Sequence, residues 1–460
     1  MQNSQRKILV DSITRLLRRD ATRNLTKIFA RTHPADIAMV LAEVNSHDAR
    51  RLFELITHAD KRAETLAEAN SDVQRALLRS LEDEEITTLL DNLYADDAAA
   101  VLKEIPEERA DRILEGWKGA DSASIDTLLA YEEGTAGAIM SPDFFALTSQ
   151  TRVDEAIATL QACHEDLEMV FYLYVVNELG QIYGVCSLRQ LVVSLPSQLL
   201  GDICETDVMV ASAHDHQESV ARTVARYNIL AIPIVNDNNV LLGIVTVDDV
   251  IDVIREEATE DILKFAGTDI DALDEDVSIW SSARARMPWL LASFAAGLLS
   301  MVVIGRFQAA IESIAALAAF IPITLGMGGN VGTQAATIMV RGLTLGRVPT
   351  SQIASVISRE IAVGAIGGLL YGAGLAALSW ALFHGAAEGQ SWHMAQLALT
   401  VSLAVFCCMS IAAAIGASVP IFFEKVGVDP AIATNPIVTT TTDAIGVLVY
   451  FLIATALLPI

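Results

Sequence analysis

The hydrophobic pattern changes character three times along the chain, and each change predicts a different architecture. Residues 1–130 carry apolar positions at helical spacing in short runs such as "HPADIAMVLAEV", "LEDEEITTLLDNL" and "PEERADRILEGW". Each run opens on an acidic residue or a proline, which predicts a small array of amphipathic helices with one apolar stripe apiece. Two later stretches, "VVNELGQIYGVCSLRQLV" from Val175 and "IVNDNNVLLGIVTVDDVI" from Ile234, align without a gap. Each reads as strand, turn, second strand and helix opening, with Gly184 and Gly243 at matching places. An internal repeat of about sixty residues predicts two copies of one α/β module over 138–255. Residues 256–283 read as an acidic connecting helix.

From Arg284 to Ile460 the pattern is apolar, with segments centred on 287–305, 313–340, 361–383, 395–422 and 436–458. Each is long enough to cross a hydrocarbon core of about 30 Å. The fold class expected is therefore a multidomain integral membrane protein: an all-α N-terminal domain, an α/β module pair, an acidic connecting helix and a five-span α-helical domain.

Charge sharpens this division. The 460 residues are 52% hydrophobic and carry a net −26. From Arg284 onward there are 6 acids and 7 bases, so 51 of the 57 acids and 24 of the 31 bases precede it, a net of −27. Such a region repels nucleic acid and favours cations as small partners. Arg284, Arg286, Arg341, Arg347, Arg359 and Lys425 fall on one side of the spans and Arg306 on the other. Positive-inside counting then places the N-terminus in the cytosol and the C-terminus outside. The polar start "MQNSQRKILV" shows no cleavable leader, and Cys163, Cys186, Cys204, Cys407 and Cys408 have no metal-ligand or disulfide spacing, which fits a reducing compartment.

The candidate chemistry starts from Asp443 in "NPIVTTTTDAIGVLVYF". A carboxylate inside a span costs about 2.5–3.5 kcal/mol on insertion scales and normally faces a bundle interior or a water-filled path. On a helix, Pro436, Thr439, Thr440, Asp443 and Gly446 share one face. In a helix starting near Asn435, Asp443 lies about 12 Å in. The second span holds "GMGGNVGTQAATIMVRG", in which Gly326, Asn330, Thr333, Thr337 and Arg341 share a face. Gly364, Gly368 and Gly372 of the third span read as a packing strip. An oxygen-only lining without His or Cys suits a hard, hydrated cation such as Mg²⁺, and a two-fold axis would pair two copies of Asp443. Two other readings stay open on residues alone. One is a proton- or sodium-coupled divalent cation carrier in which Asp443 titrates; the other is an intramembrane aspartyl protease, which would need a second carboxylate.

The repeat resembles a tandem pair of CBS domains. That family often holds a nucleotide ribose with Ser or Thr followed three residues on by Asp; the second copy has Thr246 and Asp249, whereas the first has Ser187 and Gln190. ATP binding and a purely structural hinge are both compatible with this half-kept pattern. Taken whole, the domain order and the motifs "GMGGNVGTQAAT" and "VDPAIATNPIVTTTTDAIGVLVYF" are similar to the MgtE family of magnesium channels. The resemblance implies a non-enzymatic, homodimeric Mg²⁺ channel in a bacterial inner membrane, with Asp443, Asn330, Thr439 and Thr440 at the pore. It implies closure by cytosolic Mg²⁺ on Asp96, Asp97, Asp249, Asp252, Glu257, Glu260 and Asp261. It leaves open Co²⁺, Mn²⁺ and Ni²⁺ as further cargo. Thr333, where members commonly carry Asn, and Asn228, where some carry an acid, depart from the family pattern.

Overall fold

The computed structural model describes the chain apart from residues 1–2, 118–121, 164–166, 168, 269–277, 345–347, 349–351, 384–393 and 460. Arg347 and the acidic stretch 269–277 of the connecting segment thus lie outside the described residues. The chain divides into two compact units, Met1–Glu257 and Ala258–Ile460.

In the first unit, ten helices precede the repeat: α1 (Asn3–Arg18), α2 (Thr22–Phe29), α3 (Pro34–Ala42), α4 (Ser46–Glu54), α5 (Ala59–Ala67), α6 (Ser71–Ser80), α7 (Asp83–Leu90), α8 (Ala95–Lys103), α9 (Glu107–Gly116) and α10 (Ser122–Leu129). Their starts are local. Asn45 and Asn70 cap α4 and α6 by accepting from the backbone N–H of Asp48 and Val73, and Glu82 with Glu85 forms a capping box on α7. One stripe per helix is buried, as with Ile37, Val40 and Leu41 of α3 or Val73, Leu77 and Leu78 of α6. Short helices of this kind are marginal alone, so the shared core holds them.

The repeat folds as two three-stranded sheets of identical topology. Strands β1 (Ala146–Thr148), β2 (Tyr172–Val176) and β3 (Ile182–Ser187) form one; β4 (Ala211–Ser212), β5 (Ala231–Val235) and β6 (Leu241–Thr246) form the other. In each, the first pair is parallel and the second antiparallel. Val175 pairs with Gly184 as Ile234 pairs with Gly243, with an irregularity just after each. A side chain on either glycine would strike backbone, the Glu205 carbonyl at 2.9 Å or the Ser141 carbonyl at 2.7 Å. The turns also match: Gly180 and Asn239 occupy the left-handed region at φ 74° and 60°. Helices α11 (Val153–Cys163), α12 (Leu188–Val193), α13 (Leu200–Ile203) and α14 (Gln217–Tyr227) pack around the sheets, and α15 (Val247–Phe265) continues from the second.

The second unit holds α16 (Ile279–Arg306), a short α17 (Gln308–Ser313), α18 (Ala316–Thr344), α19 (Ile353–Phe383), α20 (Met394–Val426) and α21 (Pro430–Leu457). Five of these are long and apolar enough to cross a membrane. They extend past the apolar windows because capping and polar ends lie beyond the hydrocarbon length. The shift that bears on the site is at α21, which begins at Pro430 rather than near Asn435: Asp429 accepts from Ala431 N–H and proline takes the first position. Asp443 therefore sits roughly 20 Å along its helix.

The membrane core is built from Leu317, Phe320, Leu397, Val401, Tyr450 and Phe451, with Phe307 stacked on Phe451 at 4.9 Å. Tyr450 donates its hydroxyl hydrogen to the Leu317 carbonyl at 2.8 Å, tying α21 to α18. Added Cβ atoms on Gly364, Gly368 and Gly372 of α19 would all reach α20 at 2.7–2.8 Å, so this strip is a packing surface.

Candidate functional site

Two sites follow from this scaffold, one in each unit. In the second unit α18 and α21 form a seam of small and polar residues. A Cβ on Gly329 would stand 3.7 Å from Asp443 Oδ1 and 3.9 Å from Thr439 Cγ2, so the carboxylate faces glycine backbone and not a bulky wall. Next to it, Gly332 lies against Val438 and Thr442. Asp443 is half-buried, and Asn330 and Thr337 are exposed on the adjoining face of α18 with Gly326 and Arg341. The polar face read from the sequence is thus a surface of the single chain, whereas the glycines packed against neighbouring helices are Gly329 and Gly332.

The threonines divide by role. Thr442 is buried and bonds the Val438 and Thr439 carbonyls; Thr440 donates to the Ile437 carbonyl at 3.1 Å. Their hydroxyl hydrogens are used within the helix, which leaves oxygen lone pairs as what they offer. Asp443, Thr439 and Gly329 come together directly; among the described residues no hydrogen bond joins Asn330 or Thr440 to Asp443. Among those residues no group of three or more His, Cys, Asp or Glu could hold a bare metal ion. A seam with one carboxylate per chain suits a cation that keeps its water.

Within the first unit, Asp97 of α8 faces the start of α15. Burial in that cleft, together with the charges of Glu68, Asp248 and Glu64, pushes the Asp97 carboxyl up to about 6, although its side chain still reaches solvent. Asp249 is likewise pushed up to about 6, by burial and by the charges of Asp248 and Asp97. Thr246 opposes this shift, donating its hydroxyl hydrogen and its N–H to Asp249 Oδ2. Sequence reading found Asp97 and Asp249 but missed Glu64, Glu68 and Asp248, whose proximity depends on α5 packing near α8.

The other acids are scattered. Asp96 neighbours Asp97 on α8 and is half-buried. Asp252 is exposed and paired with Arg255 at 3.0 Å, and Glu257 accepts from Gln217 Nε2 at 3.1 Å. In the second unit Glu260 pairs with Lys264 at 2.6 Å, and Lys264 also reaches Asp429 at 3.4 Å. Asp261 lies half-buried one residue on. Gly267, at φ 76°, ends α15 beside Trp289 and Pro436. Thr246 and Asp249 hydrogen-bond each other, as Ser187 and Gln190 do in the capping box of the first copy. Asn228 is the left-handed cap of α14 at φ 53°, a local structural duty.

Comparison with known proteins bears on both sites. Residues 321–453 match the model described as MgtE, divalent cation transporter, residues 32–134 the MgtE intracellular N domain, and residues 200–256 the CBS domain. The chain is 33% identical to the magnesium transporter MgtE of Bacillus subtilis over 460 residues, 99% of each chain. It belongs to the MgtE family. The Thermus thermophilus magnesium transporter MgtE is 31% identical over 98% of each chain. A solved structure of the cytosolic domain of the Mg²⁺ channel MgtE in complex with ATP has 31% identity and a TM-score of 0.50, covering 53% of this chain and 99% of that one. The CBS match covers the second copy, and in this MgtE chain the register shared by β2–β3 and β5–β6 identifies the first as the same module.

Proposed function

We propose that this MgtE protein is a Mg²⁺-selective channel that admits magnesium across a bacterial inner membrane and closes when cytosolic Mg²⁺ rises. The observation that carries the reading is Asp443, a carboxylate deep in α21 facing the Gly329 backbone, in a chain that aligns end to end with magnesium transporters. Asp443 supplies the charge; Thr439, Thr440 and Asn330 supply neutral oxygens for the water shell of the ion. Two copies related by a two-fold axis would place two carboxylates and two exposed polar α18 faces around one path, favouring divalent over monovalent cations. Cobalt, manganese and nickel ions accept the same donors and are weaker candidates as cargo.

For closure, repulsion among Asp97, Glu64, Glu68, Asp248 and Asp249 is relieved by divalent cations, with Asp96, Asp252, Glu257, Glu260 and Asp261 as further ligands. The N-terminus is cytosolic in this reading. The ATP-bound relative supports a nucleotide site at the CBS pair involving Thr246 and Asp249, which would have to open their mutual hydrogen bond. The coupled-carrier reading is not favoured.

The decisive experiment is Mg²⁺ flux into proteoliposomes under a membrane potential, comparing the parent with Asp443→Ala. Loss of flux in an inserted, folded variant is expected. Parental flux would remove Asp443 from the pore.

A further inference from the structure

Five cysteines without a recognisable spacing become two cysteines face to face once the first CBS module folds. Val185 of β3 exchanges both backbone hydrogen bonds with Glu205, each at 2.9 Å, in an antiparallel bridge on the edge of β3 not used by β2. Cys204 has extended backbone, φ −73° and ψ 153°. Stepping one residue along this ladder sets Cys186 opposite Cys204. A pair that exchanges both bonds alternates with a non-hydrogen-bonded pair, the one with closer side chains and a Cα separation of about 4.5 Å. That falls within the roughly 4.4–6.8 Å span of disulfides.

The side chains share a face. Cys204 Sγ lies 2.6 Å from where a Cβ on Gly184 would stand, and Gly184 and Cys186, two apart on β3, point the same way. The absent side chain of Gly184 is what admits Cys204. Cys186 is fully buried among Leu173, Leu191 and Leu200, and Cys204 packs against the same cluster with one side to solvent. Each thiol is engaged only with a carbonyl, that of Ser187 at 3.8 Å or Gly201 at 3.7 Å. Sulfur contacts of this kind are weak and easily exchanged.

We propose that Cys186 and Cys204 are a reversible thiol modification site, closed to a disulfide within the CBS module by hydrogen peroxide. Cys204, the accessible thiol, loses its proton and attacks the peroxide; an S–O bond forms, the O–O bond breaks, and the departing oxygen leaves as water. Cys186 then attacks the sulfur of the resulting sulfenic acid, forming S–S and releasing the second water. Two thiols are oxidised by two electrons and the peroxide is reduced to two waters. A dithiol reductant reverses the change by exchange. The bond would pin the segment leaving α13 to β3. Burial pushes the Cys186 thiol up to about 11 and raises that of Cys204 as well, so the reaction accelerates as pH rises and more thiolate forms.

The test uses the full-length protein in detergent, treated with hydrogen peroxide, alkylated with N-ethylmaleimide, and digested without reduction for mass spectrometry. A peptide pair joining Cys186 to Cys204 is expected, lost on dithiothreitol treatment and absent from Cys204→Ser and Cys204→Ala. Cys163→Ser should leave it intact, and Cys407 and Cys408 should not enter it. The proposal is overturned if both cysteines remain alkylated after peroxide. It is equally overturned if Cys204 ends as a sulfinate with Cys186 free, or is joined to Cys163 or to a second copy of the chain.

Discussion

Asp443 of α21 faces Gly329 of α18 across a gap of 3.7 Å to the position a Cβ would take. The carboxylate therefore has space on its α18 side, and that space is set by glycine. Gly329→Ala makes only ordinary contact and should leave the fold intact. Gly329→Val should retain assembly yet reduce Mg²⁺ flux several-fold, since its methyl groups enter the volume a hydrated ion needs. Flux in proteoliposomes alongside a size-exclusion profile separates the two effects.

Charge and size at the seam can be separated. Asp443→Asn keeps the volume and loses the carboxylate, so divalent flux should fall at least ten-fold, while Asn330→Ala, which removes one neutral oxygen, should cost less. Dye-reported Mg²⁺ entry at matched protein density checks the order; a larger loss for Asn330→Ala would reverse the assigned roles.

Gly416 of α20 presses on the Gly332 backbone, where an added Cβ would overlap the carbonyl oxygen. Neither backbone can yield without moving a helix. Gly416→Ala should destabilise the membrane unit by about 1–3 kcal/mol, the usual cost of overpacking. A lower thermal midpoint in detergent is the expected readout, with Gly374→Ala, which meets nothing, as the neutral comparison.

The acidic cleft predicts a pH dependence with a definite sign. Asp97 and Asp249 titrate near 6 in the folded protein, above the ordinary value of 3.8. The folded state thus binds protons more readily than the unfolded one, so ionisation of these groups weakens the fold above pH 6 and protonation relieves it between 6 and about 4. In chelator, the melting temperature of the full chain should rise as pH falls from 7.5 towards 5.5, as buffers in roughly that window would show. Added Mg²⁺ should stabilise more at the upper end. Asp97→Asn should flatten both trends.

Asp429 has two tasks, capping α21 through Ala431 N–H and meeting Lys264. Asp429→Asn preserves the cap and loses the ion pair; Asp429→Ala loses both. The second should cost about 1 kcal/mol more than the first, the typical worth of an N-cap. Denaturation midpoints of the two variants in one detergent give the difference.

Much of this was legible in the chain. Helical periodicity and caps such as Asn45 and Asn70 are local, so the helical array and the spans could be read directly. The repeat was visible because Gly184 and Gly243 answer to the same constraint, a neighbouring backbone too close for a side chain. Asp443 stood out because its charge is costly in lipid whatever surrounds it.

What stayed hidden depends on residues distant in the chain. Glu64, Glu68 and Asp248 join Asp97 and Asp249 only because α5, α8 and α15 meet, and Cys186 finds Cys204 only through the Val185–Glu205 register. By itself the sequence determined element type, module repetition, the division of charge and the presence of a membrane carboxylate. Each follows from short-range periodicity or from transfer energies that a residue carries wherever it sits. Tertiary structure alone decided which acids share a cleft, which glycines face the carboxylate and which thiols oppose each other. Those relations arise from packing and strand register, where a shift of one residue turns a side chain to the opposite face.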